Sequence, residues 1–376
     1  MILIRQFLKR FLFFLNILLA LYTLLVYQLS YSVSVKHWLA GFMMLTMPFI
    51  LVSNVVFVLI WALRKSYRVL LSFIILIVGF PFILRTVSWH NIDSTDTQEG
   101  LTVLSYNLMW CDAFTYVEKH DTTNAINLVK KVVDIDADIK CVQELFNWDD
   151  FPQFRTIKKL RGTQKYYTYV HSTPGNDKGQ GEIGLAIFSK YPIIRKQEKH
   201  WSINHNGLLS ADIVVKNDTI RVINVQLRSM GVRVQRVIEA KEDKEKAKKE
   251  AKTIYHQLKS GFEDRVIQVK ELEKWIEESP YPLIVCGDFN ELPYGFAYGK
   301  VRKYLKNSFE EAGRGFGFTY HRKPGFIRID NQFFDDKSFE IKRFKTFSDT
   351  PYSDHYPIWG KYIFKSSVVL RDQNVK

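Results

Sequence analysis

Three stretches near the amino end, residues 11–27 (FLFFLNILLALYTLLVY), 38–63 and 69–84, contain no charged side chain. A helix that crosses a bilayer needs roughly 20 predominantly apolar residues. The middle stretch meets that length easily and the outer two sit at its short limit. A cleaved signal peptide has one apolar run and a small-residue cleavage site, a pattern that three successive runs do not follow. The expectation is three membrane-spanning helices, near 11–29, 38–63 and 69–86, with two spans and an interfacial third as the fallback.

Charge placement gives these spans a direction. Arg5, Lys9 and Arg10 surround the start of the first run, and Arg64, Lys65 and Arg68 fill the link between the second and third. Only Lys36 separates the first two runs, and only Arg85 follows the third before Asp93, Asp96 and Glu99. Lys and Arg accumulate on the cytoplasmic side. The amino terminus is therefore expected inside, and the chain after residue 86 outside. That predicts a multi-pass protein of the plasma (inner) membrane with an extracytoplasmic carboxy-terminal domain.

Residues 87–100 are polar and without periodicity, and read as a linker. Residues 101–376 hold 45 of the 53 Lys and Arg and 36 of the 39 Asp and Glu, a net charge of +9. The excess suits a phosphate-bearing or polyanionic partner, or an anionic membrane surface, without choosing among them. Cys141 and Cys286 sit in apolar runs as small core side chains, and three cysteines without zinc-type spacing make no disulfide framework.

Short apolar runs alternate with helical stretches across this domain: LTVLSYN, ADIKCVQEL, EIGLAIFSK, SADIVVK, TIRVINVQL, PLIVCGDFN, FIRIDNQFF and FEIKRFKTF. Their Val, Ile and Phe content predicts strands, and the mixture predicts an α/β or α+β layered domain. Residues 232–278 are charged and helix-forming, with KEDKEKAKKEAK as a solvated turn or helix end. A basic arm over substrate or lipid headgroups is the functional alternative for that segment.

Four strand ends carry groups that an apolar core does not tolerate. Asn107 closes LTVLSYN, Glu144 closes IKCVQEL, Asp288 and Asn290 close PLIVCGDFN, and Asp354 and His355 follow Ser353. Each alone reads as a turn or a cap. Together they offer carboxylates, amides and an imidazole, a mixture that suits a hard divalent cation and a phosphate. A Cys/His zinc cluster, a P-loop and a Gly-x-Ser-x-Gly nucleophile elbow are all missing from the sequence.

At these residues the chain resembles the endonuclease/exonuclease/phosphatase superfamily of deoxyribonuclease I-like metal-dependent phosphohydrolases. The matching motifs are SYN at 105–107, QE at 143–144, GEIGLAIFSKYPI at 181–193, GDFN at 287–290, RID at 328–330 and SDH at 353–355. They occur in family order and span about 101 to 363. The resemblance implies a four-layer α/β sandwich, two packed mixed sheets flanked by helices, over residues 101–376, and a Mg²⁺ or Mn²⁺ cofactor. It implies Glu144 as principal metal ligand with Asn107 beside it and Asp354 in support. Asp288 would orient or deprotonate the attacking water, and Asn290 would donate to the phosphoryl oxygens. His355, oriented by Asp330, would contact the scissile phosphate.

The chain departs from the pattern at Asn224-Val225-Gln226-Leu227, where many relatives carry histidine in place of Gln226. In deoxyribonuclease-like members that histidine pairs with a glutamate matched here by Glu182. Apurinic endonucleases carry a tyrosine there. A glutamine amide donates a hydrogen bond but delivers no proton. Asn331-Gln332 after Asp330 is a second departure, bearing on substrate contacts. Arg228 is a candidate cationic phosphate contact, with a solvated surface arginine as the plain alternative. Trp110, Phe114 and Tyr116, and Tyr294, Phe296 and Tyr298, are open between a base-stacking platform and ordinary packing.

The implied function is hydrolysis of a phosphate ester by metal-assisted in-line attack of water. The substrate is a nucleic acid, a phospholipid headgroup or a small phosphate ester, and no obligate protein partner is evident. The alternative is a catalytically degenerate phosphate-ligand-binding or scaffold domain.

Overall fold

The computed structural model describes residues 2–33, 36–90, 98–173, 181–201, 206–229, 244–322 and 325–365. Helices α1 (Ile2–Ser32), α2 (Trp38–Leu45), α3 (Met47–Leu63), α4 (Val69–Val78) and α5 (Phe80–Thr86) come first. Residues Leu3–Ser32 of α1 are by themselves long and apolar enough to cross a membrane. The pairs α2–α3 and α4–α5 reach that length only together, across bends of 44° and 66°. Pro48 and Pro81 open α3 and α5. Proline lacks the amide hydrogen and crowds the preceding turn, so each break falls where a proline starts the next helix.

Polar groups on these helices find one another. Asn16 Nδ2 donates to Ser72 Oγ at 2.7 Å, Trp61 Nε1 donates to Asn16 Oδ1 at 2.9 Å, and Asn54 Nδ2 donates to Thr23 Oγ1 at 3.0 Å. Such pairings between small polar side chains hold helices together where apolar burial gives little preference. At one end of the bundle Arg68 donates to the Lys9 carbonyl and lies over the rings of Phe13 and Trp61.

A two-residue ribbon joins β1 (Ser88–Trp89) to β11 (Arg314–Gly315), so part of the expected linker is tied down, and residues 91–97 of it lie outside the described residues. The main body is two six-stranded mixed sheets. One contains β2 (Leu101–Asn107), β3 (Ile139–Asn147), β4 (Tyr166–Thr173), β5 (Glu182–Ser189), β13 (Phe339–Thr346) and β14 (Ile358–Phe364), in the order β13-β14-β2-β3-β5-β4. The other contains β6 (Ile193–Trp201), β7 (Asn206–Val215), β8 (Asp218–Gln226), β9 (Leu283–Asp288), β10 (Lys306–Asn307) and β12 (Asp330–Phe334), in the order β10-β12-β9-β8-β7-β6. The central pairs β2–β3 and β8–β9 are parallel.

These strands are apolar on both faces because both faces are covered. Val103, Ile139, Cys141, Ile187, Val222 and Cys286 fill the space between the sheets. Leu104, Tyr106, Val142 and Phe188 face outward against the helix Thr123–Asp134. Ile223, Val225, Leu283 and Val285 face the long helix Lys244–Glu277 through its Phe262, Val266, Val269 and Trp275. Helix, sheet, sheet and helix stack as the expected four-layer α/β sandwich. Sequence patterning passed over β4, β6 and β14. The first two are edge strands, and β6 (IIRKQEKHW) is too charged to show an apolar run.

The bundle docks on this sandwich through a shared apolar cluster. Leu29, Val33, Ala40 and Met44 belong to the same apolar cluster as Phe262 and Val225. Gly41 lets α2 approach the long helix closely, since a Cβ there would lie 2.3 Å from the Phe262 ring. Within the second sheet, Gly287 has φ +140°, and its Cβ would fall 2.0 Å from the Val225 carbonyl oxygen. Gly287→Ala is therefore expected to cost about 3 kcal/mol or more, read as a lowered thermal midpoint of the purified protein.

Candidate functional site

Gln226 and Asp288 end the parallel pair β8–β9 side by side, and Asp330 opens β12 directly opposite Asp288. Asn107 ends β2 across the sandwich. Alternation along β3 points Cys141 and Gln143 inward, which would turn Glu144 outward. A bulge prevents this: the β3–β5 register shifts between Val142 and Leu145, and Glu144 takes φ +49°. The extra residue swings the Glu144 carboxylate into the cleft, as bulges re-aim side chains beside functional sites.

The carboxylate is then gripped from two sheets. Gln226 Nε2 donates to Glu144 Oε1 at 2.7 Å, and Asn107 Nδ2 donates to the same atom at 3.2 Å. Asn107 Nδ2 also donates to Asp288 Oδ2 at 3.1 Å, so one amide bridges both acids. Its Oδ1 accepts from the Met109 amide at 2.9 Å, which fixes the amide's orientation. Asn290, also at φ +49°, donates through its backbone to Asp288 Oδ1 and through Nδ2 to Asp288 Oδ2 and the Leu227 carbonyl. Both of its side-chain protons therefore serve the loop and Asp288.

His355 Nδ1 lies 2.8 Å from Asp330 Oδ2, and its Nε2 is 3.9 Å from Asp288 Oδ2 and 4.0 Å from Asp354 Oδ1. Asp354 Oδ2 pairs with Arg322 Nε at 3.4 Å. Burial pushes both Glu144 and Asp288 above the ordinary carboxylate range, Asp288 to about 7, with the nearby His355 charge acting in the opposite direction. Burial alone would lower His355, but the carboxylates of Asp330 and Asp288 override it and raise the imidazole to about 10.

Asn107, Glu144, Gln226, Asp288, Asn290, Asp330, Asp354 and His355 therefore converge. Glu182 is placed differently: its carboxylate lies 3.3 Å from His171 Nδ1 on the edge of the sheet, while Gln226 takes Glu144 as its partner. Arg228 faces Asp264 of the long helix at 3.5 Å and is largely buried, not a solvated arginine. Asn331 and Gln332 are also buried. Gln332 Nε2 donates to the Val103 and Ile358 carbonyls of the facing sheet, and Asn331 Oδ1 accepts from Arg328 and Asn307 on the opposite face of β12, so both are taken up by packing. Tyr294, Phe296 and Tyr298 are fully buried and form no stacking platform, whereas Phe114 is exposed.

Sequence reasoning missed several supports. Arg265, fully buried on the long helix, donates through Nη2 to the Arg228 and Asn290 carbonyls at 2.7 and 2.9 Å. Thr319 Oγ1 accepts from the Ile329 and Asp330 amides, and the Tyr320 ring packs edge-on to His355 with centroids 5.2 Å apart. The charged helical stripe around Arg265 gave no signal that its arginine points inward.

A hard divalent cation fits this cleft. Two raised carboxylates, the half-buried Glu144 and the buried Asp288, lie together, and Gln226 Oε1 and Asp330 Oδ1 are buried without a hydrogen-bond partner. Asp288, Asp330 and His355 also bring potential ligand atoms within 4.8 Å of one another. The imidazole is already committed to Asp330, which favours Glu144 over His355 as the cation's anchor.

Comparison with family profiles agrees with the strand-end motifs. The profile of the endonuclease/exonuclease/phosphatase family matches residues 104–355, and the chain belongs to that family. A second profile, described as a domain of unknown function, matches residues 9–86. Among curated proteins, an inositol phosphosphingolipids phospholipase C from Schizosaccharomyces pombe is 29% identical over 111 residues, 30% of this chain. The chain spans 24% of the length of that relative. Solved structures with similar coordinates include an endonuclease/exonuclease/phosphatase family protein from Leptotrichia buccalis, with 17% identity and TM-score 0.47, covering 70% of this chain and 100% of that one. Another, from Bacteroides thetaiotaomicron, has 18% identity and TM-score 0.48, covering 72% and 99%.

The His355–Asp330 pair yields a pH prediction. In Asp330→Asn the first carboxylate holding the imidazole charged is gone, and burial pulls its pKa back down. A site that works through protonated His355 is expected to lose activity about 100-fold, with the alkaline limb of its rate profile moved to lower pH. An alkaline limb left in place would show that His355 acts unprotonated.

Proposed function

We propose that the chain is a membrane-tethered, divalent-metal-dependent phosphoric ester hydrolase. The observation that carries this is the convergence of Glu144 and Asp288 on one bridging Asn107 amide, beside the Asp330-held imidazole of His355. Glu144 would hold Mg²⁺ or Mn²⁺, with Asp354 supporting the ion or its waters and Asn107 and Gln226 setting the Glu144 carboxylate. The bound ion would neutralise charge on the phosphoryl group and its leaving oxygen.

The chain's own residues supply the rest. Asp288, with its pKa near neutrality, takes the proton of the attacking water, and Asn290 keeps its carboxylate aimed. His355 donates from Nε2 to a phosphoryl oxygen while Asp330 holds Nδ1. Preorganised donors of this kind act where charge develops. Gln226 takes no part in proton transfer and serves as a donor to Glu144. Arg228 would add positive charge beside the cleft, partly offset by Asp264.

A phospholipid or sphingolipid headgroup is the favoured substrate, because the loop carrying Asp288 and Asn290 continues directly into contacts with the apolar helices. The Schizosaccharomyces pombe relative is named for a lipid of that class. The test is the purified full chain with Mg²⁺ or Mn²⁺ on a panel of phospholipids, sphingolipids, nucleic acids and sugar phosphates. Hydrolysis should vanish with chelator and fall at least about 1,000-fold in Glu144→Ala. No turnover on any substrate would leave a phosphate-binding scaffold as the function.

The proposed topology has the amino terminus in the cytoplasm, the basic Lys9–Arg68 end of the bundle inside, and the sandwich outside. Protease added to intact cells is expected to digest the sandwich. Protection until the membrane is opened would reverse the orientation.

A further inference from the structure

The loop that follows β9 has two faces. Toward the cleft it carries Asp288 and Asn290. Six positions after Asp288 it carries Tyr294, which is almost fully buried among residues of the amino-terminal helices. Tyr294 clusters with Tyr27 of α1, Met47 and Ile50 of α3 and Phe82 of α5. Its hydroxyl lies 2.7 Å from Thr86 Oγ1, at the end of α5. Arg85 Nη1 reaches the carbonyl of the neighbouring Pro293 at 3.4 Å, and the Arg85 carbonyl accepts from Arg328 Nη2.

The segment between the two faces is stiff. Arg265 Nη2 holds the Asn290 carbonyl, and Arg265 Nη1 lies 3.5 Å from Glu291 Oε1. The Glu291 carboxylate accepts from the Phe296 and Ala297 amides at 3.0 and 2.7 Å, and the Gly295 amide donates to the Leu292 carbonyl at 3.0 Å. A closed, hydrogen-bonded turn of this kind transmits a displacement of Tyr294 to Asn290, where a slack loop would absorb it.

We infer that the helix bundle is a working part of the catalytic site: Tyr294, wedged between the amino-terminal helices and hydrogen-bonded to Thr86, is a positioning residue that sets Asp288 and Asn290. This rests on the phosphohydrolase reading of those two residues. The packing of three helix segments from different parts of the bundle then governs turnover, so the state of the surrounding bilayer reaches the reaction through one loop. The consequence falls on kcat, because the cleft that receives the substrate is otherwise unchanged.

The test uses the full chain in lipid nanodiscs with bis(p-nitrophenyl) phosphate, a soluble diester whose presentation does not depend on the bilayer. Tyr294→Phe keeps the ring and loses only the Thr86 contact, and is expected to lower kcat about tenfold with KM unchanged. Thr86→Val should do the same, and the double variant should be no worse than either alone. Amide hydrogen exchange supplies a readout independent of turnover: both single variants should speed exchange in residues 288–297 while leaving β7 at the wild-type rate. Wild-type kcat should also differ between discs of short- and long-chain phosphatidylcholine, with Tyr294→Phe flattening that dependence. Wild-type kcat and loop exchange in both variants would overturn the inference while leaving the enzyme intact. Faster loop exchange in a chain that hydrolyses nothing would uphold the coupling and sink the phosphohydrolase reading.

Discussion

The site depends on a hydrogen bond that touches no reacting group. Gln143 Nε2 donates to Asn224 Oδ1 at 2.6 Å across the space between the sheets, and Asn224 Nδ2 donates to the Val142 and Ala186 carbonyls. Each amide is fully buried, so losing one strands the other at a cost of about 1–3 kcal/mol. This seam fixes β3 against β8. Glu144 follows Gln143 and Gln226 lies two positions after Asn224, on the same face, so the seam leaves them within hydrogen-bonding reach. Gln332 does similar work between β12 and the strands β2 and β14, setting Asp330 opposite the rest of the cleft. A slip by one residue in either sheet would turn every one of these groups to the wrong face.

Much of this was legible in the sequence, for a physical reason. Strands of a sandwich covered on both faces must be apolar throughout, so a polar residue closing such a run stands out. That rule found Asn107, Glu144 and Asp288, and the family resemblance added Gln226. The family resemblance set Asn331 and Gln332 against substrate contacts, yet both amides are taken up by packing: in one dimension a buried amide looks the same as an amide in a cleft. The Glu144 bulge was invisible because inward and outward positions are counted by alternation, and an inserted residue breaks the count. Arg265 was hidden for the opposite reason, as one basic side chain within a helix full of them.

Gln226 shows how a departure from a family pattern is read once partners are visible. Its amide donates to the acid most suited to hold a cation, and its oxygen remains buried and unpaired. Such an arrangement orients a ligand and does not move a proton. Glu182, freed from the partner that the family pattern assigns to it, lies at an edge with His171. Of these two positions only Gln226 departs from the family pattern, and Glu182 keeps its identity with a different partner.

The apolar cluster shared by α1, α2 and the long helix bears on how the protein is made. The helices leave the ribosome before any strand of the sandwich exists, and Leu29, Val33, Ala40 and Met44 wait for a surface that includes Phe262. The sandwich in turn cannot close its outer layer until that helix meets these four residues. The order of the chain therefore makes the amino-terminal helices part of the last layer to close, since the core around Phe262 is complete only when both ends of the sequence contribute to it.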